Sequence, residues 1–404
     1  MKKIWLIIIF GIILRLILMP FTIHPDIRGH YLGGLLIAKE NQFFGVYDYI
    51  SRLPREHILA KLYGDNFLVY SPLTYWSHAL FINILSPLYP PGLLEKLITH
   101  MDQAAKDPGL PWLLFLLKFP YLLLDLVILK LLWHILGSKH RQAATLLWAF
   151  NLPLIYSAYL MGQFDVFIVL FMLLAAWLAG INRPSLAAVA LALSAGFKPF
   201  GLILVPFLPG NKIKNIFIAA ASYLAIIAIY LPSPGYRMYP LLAQQSDKIW
   251  YAKIMVSGSQ YLPVFLVGVV LLFWWSYIRP KALPVWGWLA TPLLVFYSVV
   301  HYHPQWFAWI SPFLIISWIL KPQSRLLILT MFMAHLAIVF SFEPSLNFGL
   351  FGLPYSLNHW LNDTNMSLIR GILAGSSLAL IPILSSTNKG PPPLLFRSSM
   401  AKNF

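Results

Sequence analysis

The chain contains no cysteine and few acidic side chains. Among its 404 residues there are 13 Asp and Glu against 29 Lys and Arg, and charged residues make up only 10%. Without cysteine there is no disulfide framework and no thiol chemistry. What the chain has instead is apolar surface, with 59% hydrophobic residues and a mean hydropathy of +0.73. This composition excludes a soluble globular domain and indicates a polytopic membrane protein.

Apolar runs long enough to cross a bilayer recur along the whole sequence. Inside the hydrocarbon region every backbone polar group must be satisfied within its own segment, so such runs form helices. We therefore predict an all-α polytopic membrane protein with about 11–13 transmembrane helices. The predicted helices are residues 4–20, 111–136, 142–160, 164–181, 184–197, 199–209, 213–231, 260–278, 284–300, 304–320, 325–341 and 368–385.

The first apolar run is similar in composition to a secretory signal peptide. It has no small-x-small cleavage site, and Arg15 lies inside its apolar stretch. These two features favour an uncleaved first helix.

The segments between the predicted helices include a long first outer loop. Residues 72–88 are apolar but carry several polar side chains, so we predict an interfacial or re-entrant helix on the outer side. Residues 32–62 and 91–107 mix Leu, Tyr and Phe with charges, which is typical of helices that lie on a membrane surface. Residues 232–258 and 342–367 are predicted to form further outer loops.

These assignments divide the chain into three parts. A first membrane module covers residues 1–231 and includes the outer loop 21–110. A second membrane module covers residues 232–385, and a cytoplasmic tail covers residues 386–404.

The distribution of basic residues predicts the orientation. The turns assigned to the inner side contain no Asp or Glu, whereas they and the tail hold Lys2, Lys3, Lys139, Arg141, Arg183, Lys212, Lys214, Arg279, Lys281, Lys321, Arg325, Lys389, Arg397 and Lys402. Because Lys and Arg in short loops stay in the cytoplasm, both termini are predicted to be cytoplasmic in a cell membrane. The basic residues behind the net charge of +16 then lie next to anionic lipid headgroups, which supply the counter-charge. We therefore expect no nucleic-acid partner.

A competing topology lets residues 72–88 cross the membrane and fuses residues 184–208 into one helix. The number of crossings has the same parity in this topology, so the termini stay on the same sides. We disfavour it because it places Lys139 and Arg141 outside.

A carboxylate follows directly after the first predicted helix. Asp26 and Arg28 lie in a segment that also holds His24 and His30, with Pro25 fixing the exit of the chain. A carboxylate at a membrane face beside cations can accept a proton from a lipid-bound substrate. The alternative is a juxtamembrane loop with solvated charges.

Polar side chains also occupy a turn between two predicted helices. Gly162 allows a tight turn, and Gln163 and Asp165 offer hydrogen bonds to hydroxyl groups or to a cation. The alternative for Asp165 is a helix cap, because an acid at a helix start satisfies free amides.

A lysine interrupts an apolar stretch at Gly196-Phe197-Lys198-Pro199. Pro199 predicts a helix break at this point, which would expose the Lys198 amine and free backbone groups to a phosphate. The alternative is that Lys198 extends its amine to the membrane interface.

The last polar cluster is an outer turn with His301, His303 and Gln305, where Pro304 opens the next helix. These side chains suit hydrogen bonds to a phosphate or a sugar. A metal site is weakly indicated because no cysteine or local carboxylate accompanies the histidines. The neighbouring aromatic residues are typical of a membrane-interface belt without any further role.

One further acid lies in the middle of a predicted helix. Asp125 is seven residues after Lys118 and lies on roughly the same helix face. We interpret it as a structural partner of Lys118 or of Arg15, not as a site residue.

Together these motifs resemble the GT-C superfamily of membrane glycosyltransferases, which take sugars from polyprenyl-phosphate carriers. The pattern extends over residues 1–310 and is most similar to the bacterial and archaeal mannosyltransferase-like branch. It consists of the acid after the first helix, Gly45-Val46-Tyr47, Tyr70-Ser71-Pro72-Leu73, Gly162-Gln163-Phe164-Asp165, Phe197-Lys198-Pro199 and His303-Pro304-Gln305-Trp306-Phe307.

The resemblance implies a GT-C-like fold, with the catalytic module in residues 1–231, and roles for the site residues. Asp26 matches the catalytic base of the first loop, and Lys198, His301 and His303 match positions near the carrier phosphate. Arg28, Gln163, Asp165 and Gln305 would contact the substrates. Asp165 also matches an acid that helps to hold a metal in oligosaccharyltransferases. The second acid that often neighbours the first is missing beside Asp26, which leaves a divalent-metal cofactor open.

The resulting expectation is an inverting hexosyltransferase. It would move a hexose such as mannose from a polyprenyl-phosphate sugar to a lipid-linked or cell-surface acceptor on the outer face. The rival expectation is a glycolipid or polysaccharide transporter or flippase. A transporter would show internal repeats and polar residues at the midplane, and the sequence shows neither.

Overall fold

The computed structural model describes residues 2–22, 24–64, 68–242, 244–341 and 362–385, with the side chains of residues 244–246 excepted. Most of this part of the chain is helical. The α-helices are α1 (Lys2–Leu18), α2 (Asp26–Ala38), α3 (Ile58–Tyr63), α4 (Pro72–Leu85), α5 (Leu93–Thr99), α6 (Met101–Ala104), α7 (Leu110–Leu136), α8 (Arg141–Ala149), α9 (Leu152–Ile155), α10 (Asp165–Gly180), α11 (Pro184–Ala195), α12 (Lys212–Ile227), α13 (Pro234–Tyr236), α14 (Val264–Ile278), α15 (Val285–Val299), α16 (Ser311–Leu320), α17 (Arg325–Ser341) and α18 (Asp363–Ser385).

Tighter and wider helical turns continue or connect these helices. The 3₁₀ segments are Met19–Phe21, Val46–Asp48, Ile50–Arg52, Ser86–Leu88, Ser138–His140, Pro199–Phe207, Ala228–Tyr230, Gln244–Trp250, Pro304–Trp309 and Pro322–Ser324. Two π-helical segments are Tyr156–Leu160 and Arg237–Leu241. A single antiparallel hairpin, β1 (Lys253–Ser257) and β2 (Gln260–Pro263), is the only sheet in the described part of the chain.

The helices confirm the expectation of a mainly α-helical, multi-pass membrane protein. Among the described residues, five helical stretches are long and apolar enough to cross a membrane, and six if a pair bent by 45° at residues 150–151 counts as one span. Five further apolar helices have 10–17 residues. The larger number of crossings predicted from the sequence stays a prediction. The long stretches are Lys2–Phe21, Leu110–Leu136, Lys212–Tyr230, Pro322–Ser341 and Asp363–Ser385, and the bent pair is Ser138–Ala149 with Leu152–Leu160.

Several predicted boundaries are wrong. The helix predicted at 260–278 begins at Val264, because residues 260–263 form β2. The helix predicted at 199–209 is a 3₁₀ segment, and the one at 142–160 is broken after Ala149. The last helix begins at Asp363 and not at residue 368. The tail 386–404 and residues 342–361 of the predicted outer loop lie outside the described residues.

Prolines set the backbone at two positions that the sequence had singled out. Lys198 precedes Pro199 and is extended, with φ −143° and ψ 130°. His303 precedes Pro304 and is also extended, with φ −75° and ψ 139°. α11 ends at Ala195 and α15 at Val299, and the proline ring keeps the residue before it extended, so the next helical segments begin only at Pro199 and Pro304. Both side chains therefore project from a helix break.

The helices of the first loop form a compact layer with its own core. Tyr31, Tyr75 and Leu97 from α2, α4 and α5 are buried together with Leu117 of α7. The axes of α2 and α4 approach closely because α2 presents glycine: a Cβ on Gly33 would lie 2.1 Å from the Tyr75 ring. This layer positions the start of α2 against the main bundle.

The main bundle is organised around α10. This helix is buried along nearly its whole length, with Val166, Leu173 and Ala179 among the buried residues, and packs on α7 and α11. A helix that is apolar on all sides belongs in the interior of a bundle. Its first residue, Asp165, is thereby held inside the protein.

Candidate active site

Asp26 is the first residue of α2, and its carboxylate is held by a residue from a distant turn. Gln163 Nε2 donates a hydrogen bond of 2.6 Å to Asp26 Oδ2. The Asp26 backbone N–H donates to His24 Nδ1 at 3.2 Å, and the same ring nitrogen lies 3.7 Å from Asp26 Oδ2. The Asp26 side chain is still 36% exposed. It is therefore a fixed carboxylate that a substrate can reach.

The turn that presents Gln163 requires glycine before it. Gly162 has φ +69°, and a Cβ there would lie 2.8 Å from Ile27 Cδ1. A side chain at this position would be strained and would also push α2 away. The Gln163 backbone N–H donates to the Ser157 carbonyl oxygen at 2.8 Å, which closes the turn onto the π-helical segment Tyr156–Leu160.

A buried lysine of α7 joins this turn to the segment that leads to Asp26. Lys118 Nζ donates to the carbonyl oxygens of Met19 at 3.1 Å and Thr22 at 2.5 Å, and to Thr22 Oγ1 at 2.7 Å. It also donates to the Tyr159 carbonyl oxygen at 3.0 Å. Met19 and Thr22 precede Asp26 in the chain, and Tyr159 precedes Gln163. Lys118 thus fixes both sides of the Asp26–Gln163 contact.

Asp125 lies deeper on the same face of α7 and pairs with Arg15. The Arg15 Nε to Asp125 Oδ2 distance is 2.7 Å, and both side chains are fully buried. Trp148 Nε1 and the Tyr159 hydroxyl donate to the same carboxylate at 2.6 and 2.9 Å. The sequence left Lys118 and Arg15 as possible partners of Asp125, and in the structure Asp125 pairs with Arg15.

Lys198 and Asp165 form a buried ion pair. Lys198 Nζ lies 2.6 Å from Asp165 Oδ1, which also accepts from Trp309 Nε1 at 2.7 Å. Ser157 Oγ donates to Asp165 Oδ2 at 3.1 Å. The Lys198 side chain is only 9% exposed, so it does not extend to the surface as in the alternative interpretation. The hydrogen bonds of Asp165 that join it to other elements come from side chains, so it is more than a helix cap.

The Lys198 ammonium sits among aromatic rings. Its nitrogen lies 4.8–5.8 Å from four ring centroids, those of Tyr70, Phe164, Trp306 and Trp309. The negative faces of such rings stabilise a cation at this range. The aromatic residues of the turn after Pro304 are therefore part of the site and not only a membrane belt.

A cavity of about 250 Å³ opens beside Lys198. Its wall is mostly apolar and aromatic, and its charged groups are the ammonium groups of Lys198 and Lys248. The lining residues are Val69, Tyr70, Ser71, Phe197, Lys198, Pro199, Phe200, Ile203, Pro240, Lys248, Ile249, Phe296, Trp306 and Trp309. Asp26 is linked to this wall through Gln163, which donates to its carboxylate, and the adjacent Phe164, whose ring centroid lies 4.8 Å from that of Tyr70.

Lys248 is a site residue that the sequence analysis missed. It belongs to the 3₁₀ segment Gln244–Trp250, where it resembled any other charge of a loop. Its amine is hydrogen-bonded to His303 Nε2 and lies 5.3 Å from the centroid of Trp306. Burial lowers the pKa of Lys248 to about 8, and the nearby charge of Lys198 adds to this effect.

His303 is a neutral acceptor in this arrangement. Burial lowers the pKa of His303 to about 3, with further contributions from the charges of Lys248 and Lys198. A neutral ring whose Nε2 accepts from an ammonium group carries its proton on Nδ1. His303 therefore orients Lys248 and does not itself supply a positive charge.

The other predicted site residues lie further out or are enclosed. Arg28 lies over the ring of Tyr63, 5.9 Å from its centroid, and its Nε donates to the Pro25 carbonyl at 3.4 Å. His301 is half-buried beside Tyr251, at a ring distance of 5.4 Å. Gln305 is buried, and its Oε1 has no hydrogen-bond partner among the residues that the structure describes.

The side chains present do not fit a divalent metal. In the described ranges no group of three or more His, Asp or Glu side chains is placed to hold a metal ion. Both carboxylate oxygens of Asp165 already accept hydrogen bonds from Lys198, Trp309 and Ser157. A metal at Asp165 Oδ1 would have to displace the Lys198 ammonium group, and one at Oδ2 would compete with the Ser157 hydroxyl.

The chain matches no protein-family model, no curated protein and no solved structure. The chemistry must therefore be argued from the geometry. The site offers one accessible, oriented carboxylate as a proton acceptor and two ammonium groups that stabilise an anion. An aromatic wall lies beside the ammonium groups and suits the apolar part of a ligand.

Proposed function

We propose that the protein is an integral-membrane glycosyltransferase of the GT-C type. It transfers a hexose, such as mannose, from a polyprenyl-phosphate sugar to a lipid-linked or cell-surface acceptor. The observation that carries this proposal is that Gln163, which holds the Asp26 carboxylate, directly precedes Phe164, whose ring centroid lies 4.8 Å from Lys198 Nζ in the wall of the cavity that also holds Lys248. A base for a hydroxyl group and cations for a departing phosphate are the groups that transfer from a sugar phosphodiester needs.

The proposed reaction is a single displacement. Asp26 takes the proton of the acceptor hydroxyl as its oxygen forms a bond to the anomeric carbon. The bond between that carbon and the phosphate oxygen breaks, and the polyprenyl phosphate leaves with the electron pair. Lys248 and Lys198 stabilise the negative charge that develops on the phosphate. One carboxylate acting as base, with no second one as nucleophile, inverts the anomeric centre.

The form of the cavity supports a lipid-linked donor over a nucleotide sugar. Nucleotide sugars are commonly bound by an α/β domain with a glycine-rich turn after a strand. Within the described ranges the strands form only the β1–β2 hairpin, and the aromatic wall suits an apolar carrier. The distribution of Lys and Arg favours cytoplasmic termini and a site on the outer face of a cell membrane, where lipid carriers deliver sugars.

The experiment is a donor panel with protein reconstituted in lipid nanodiscs. Radiolabelled polyprenyl-phosphate hexoses and the corresponding nucleotide sugars are supplied with a mixture of lipid-linked acceptors, with and without EDTA. Transfer from a polyprenyl-phosphate hexose, absent in Asp26→Asn, is the expected result. Transfer from nucleotide sugars alone would contradict the proposal. Movement of the donor across a vesicle bilayer without any transfer would favour a transporter.

A further inference from the structure

The hairpin formed by β1 and β2 exposes apolar side chains on both of its faces. All five residues of β1 are exposed, and Ile254, Met255 and Val256 are 58–62% exposed. The cross-strand pairs are Ile254 with Leu262 and Met255 with Tyr261. None of the described residues covers this surface. An isolated two-stranded hairpin of this kind is marginally stable in water.

The two faces of the hairpin differ in polarity. Because side chains alternate along a strand, the pair Ile254–Leu262 lies on one face and the pair Met255–Tyr261 on the other. The second face also carries Lys253, whose ammonium lies 5.1 Å from the centroid of Tyr261. One face thus carries the aliphatic pair, with Gln260 near the turn, while the other combines an apolar area with a hydroxyl and a cation.

The hairpin is continuous with an apolar helix that exposes large apolar side chains. Pro263 ends β2 and α14 begins at Val264, whose backbone N–H donates to the Ala252 carbonyl at 3.0 Å. Leu271 and Ile278 of α14 are 65% and 70% exposed. Its 15 residues extend over about 22 Å, less than the roughly 30 Å of a hydrocarbon core. With Arg279, which follows α14, at one membrane interface, a helix of this length brings the hairpin to within about 8 Å of the opposite end of the hydrocarbon region.

The open edges of the hairpin exclude the hydrocarbon region itself. Unpaired backbone groups at a sheet edge need water or another donor and acceptor, which the hydrocarbon region does not supply. The charge of the hairpin favours the layer above it: residues 253–263 contain Lys253 and no acid, while Lys248 of the preceding segment follows Asp247. Trp250, Tyr251 and Tyr261, which are enriched types at membrane interfaces, belong to the same segment.

We propose that this hairpin lies in the headgroup layer of the bilayer, with the Ile254–Leu262 face toward the acyl chains. Lys253 and Tyr261 then face the lipid phosphates and water. The same segment carries Lys248 and Ile249 of the cavity wall, so the mouth of the cavity is held at headgroup depth. This inference rests on the hairpin and α14 and not on the glycosyl-transfer proposal.

The test uses single cysteines in a chain that has none of its own. Ile254→Cys, Leu262→Cys, Met255→Cys and, at the polar tip, Ser259→Cys are labelled with an environment-sensitive fluorophore in nanodiscs. Labels at 254 and 262 should fluoresce at shorter wavelength, be quenched by nitroxide-labelled lipids, and be several-fold less sensitive to iodide than the label at 259. Labels at 255 should be intermediate. Helical circular dichroism and a monodisperse elution profile establish that each variant is folded.

Two outcomes would overturn the proposal. One is iodide quenching at 254 and 262 equal to that at 259. The other is protection from iodide without quenching by lipid nitroxides, because a second copy of the chain or another segment then covers the face.

Lys253→Gln supplies an independent check: it should weaken lipid quenching at 254 in anionic nanodiscs and leave it unchanged in zwitterionic ones. An equal effect in both lipids would contradict the role given to Lys253.

Discussion

The side-chain amide of Gln163 donates a 2.6 Å hydrogen bond to Asp26 Oδ2 across 137 residues of sequence. This contact occupies one carboxylate oxygen and fixes the plane of the group. The two residues keep their positions relative to each other because Lys118 donates hydrogen bonds to the backbone of both segments that carry them. A base oriented in this way acts on a substrate hydroxyl with little reorganisation, which is the condition for efficient proton transfer.

Asp26→Asn should abolish sugar transfer while leaving the fold intact. The amide keeps the size of the side chain but cannot accept the acceptor proton, so kcat should fall by about 10²–10⁴-fold. Initial rates with a saturating polyprenyl-phosphate sugar provide the measurement. Glu40→Gln, an exposed acid that follows α2, is the matched control and should retain full activity. Near-normal turnover of Asp26→Asn would remove Asp26 from the role of base.

Lys118→Met should lower kcat and leave the donor KM unchanged. The methionine fills the same volume but releases Met19, Thr22 and the Tyr159 carbonyl, so the Asp26–Gln163 contact loosens. Lys130→Met on the exposed face of the same helix is the control and should have no effect. A rise in donor KM at constant kcat would show that Lys118 acts on donor binding and does not position the base.

The Lys198–Asp165 pair can be tested by a double substitution. Lys198→Met or Asp165→Asn alone leaves one buried charge without its partner, which costs about 3–5 kcal/mol. The double variant removes both charges and should recover most of the thermal stability, measured by intrinsic tryptophan fluorescence. Donor KM should stay high because the cation is missing. Recovery of normal donor KM together with stability would make the pair purely structural.

Donor binding should weaken as the pH rises above about 8. In the proposed reaction the anionic carrier phosphate binds the protonated amine of Lys248, and burial lowers the pKa of this amine to about 8. Above that pH the protonated fraction falls about tenfold per unit, so the donor KM should rise between pH 8 and pH 10. Lys248→Arg stays charged and should show a flat profile over this range. A flat wild-type profile would contradict the assignment.

The features that local sequence rules govern were predicted well. The helix breaks at Lys198 and at His303 were predicted from the proline that follows each of them. The apolar runs form helices, as predicted. The sequence left two possible partners for Asp125. One is Lys118, which lies on the same helix face, and the other is Arg15 of the first helix. The predicted boundaries at β2 and at residues 150–151 were wrong, although Pro263 and Pro153 mark the starts of the helices that follow them.

The composition of the site depends on tertiary contacts that no local pattern encodes. Asp26 and Gln163 were both singled out, but their direct hydrogen bond depends on how Gly162 and Lys118 pack α7 against two other segments. Lys248 was missed because nothing in its own segment distinguishes a buried lysine from a solvated one. Lys198 was expected to be free for a phosphate, and the structure gives it Asp165 as a partner.

The Arg15–Asp125 pair also has a consequence for the biosynthesis of the chain. Arg15 is made 110 residues before its partner. At about 5–20 residues per second, the first helix waits roughly 5–20 s in the bilayer with an unpaired guanidinium group. An arginine at the centre of a membrane helix costs about 2.5–3.5 kcal/mol. Arg15 lies in the last turn of α1, so it lowers this cost by extending its guanidinium group toward the membrane surface in the meantime. The final depth of α1 is therefore set only when α7 arrives, and a nascent chain that stops before Asp125 holds its first helix in a shifted position.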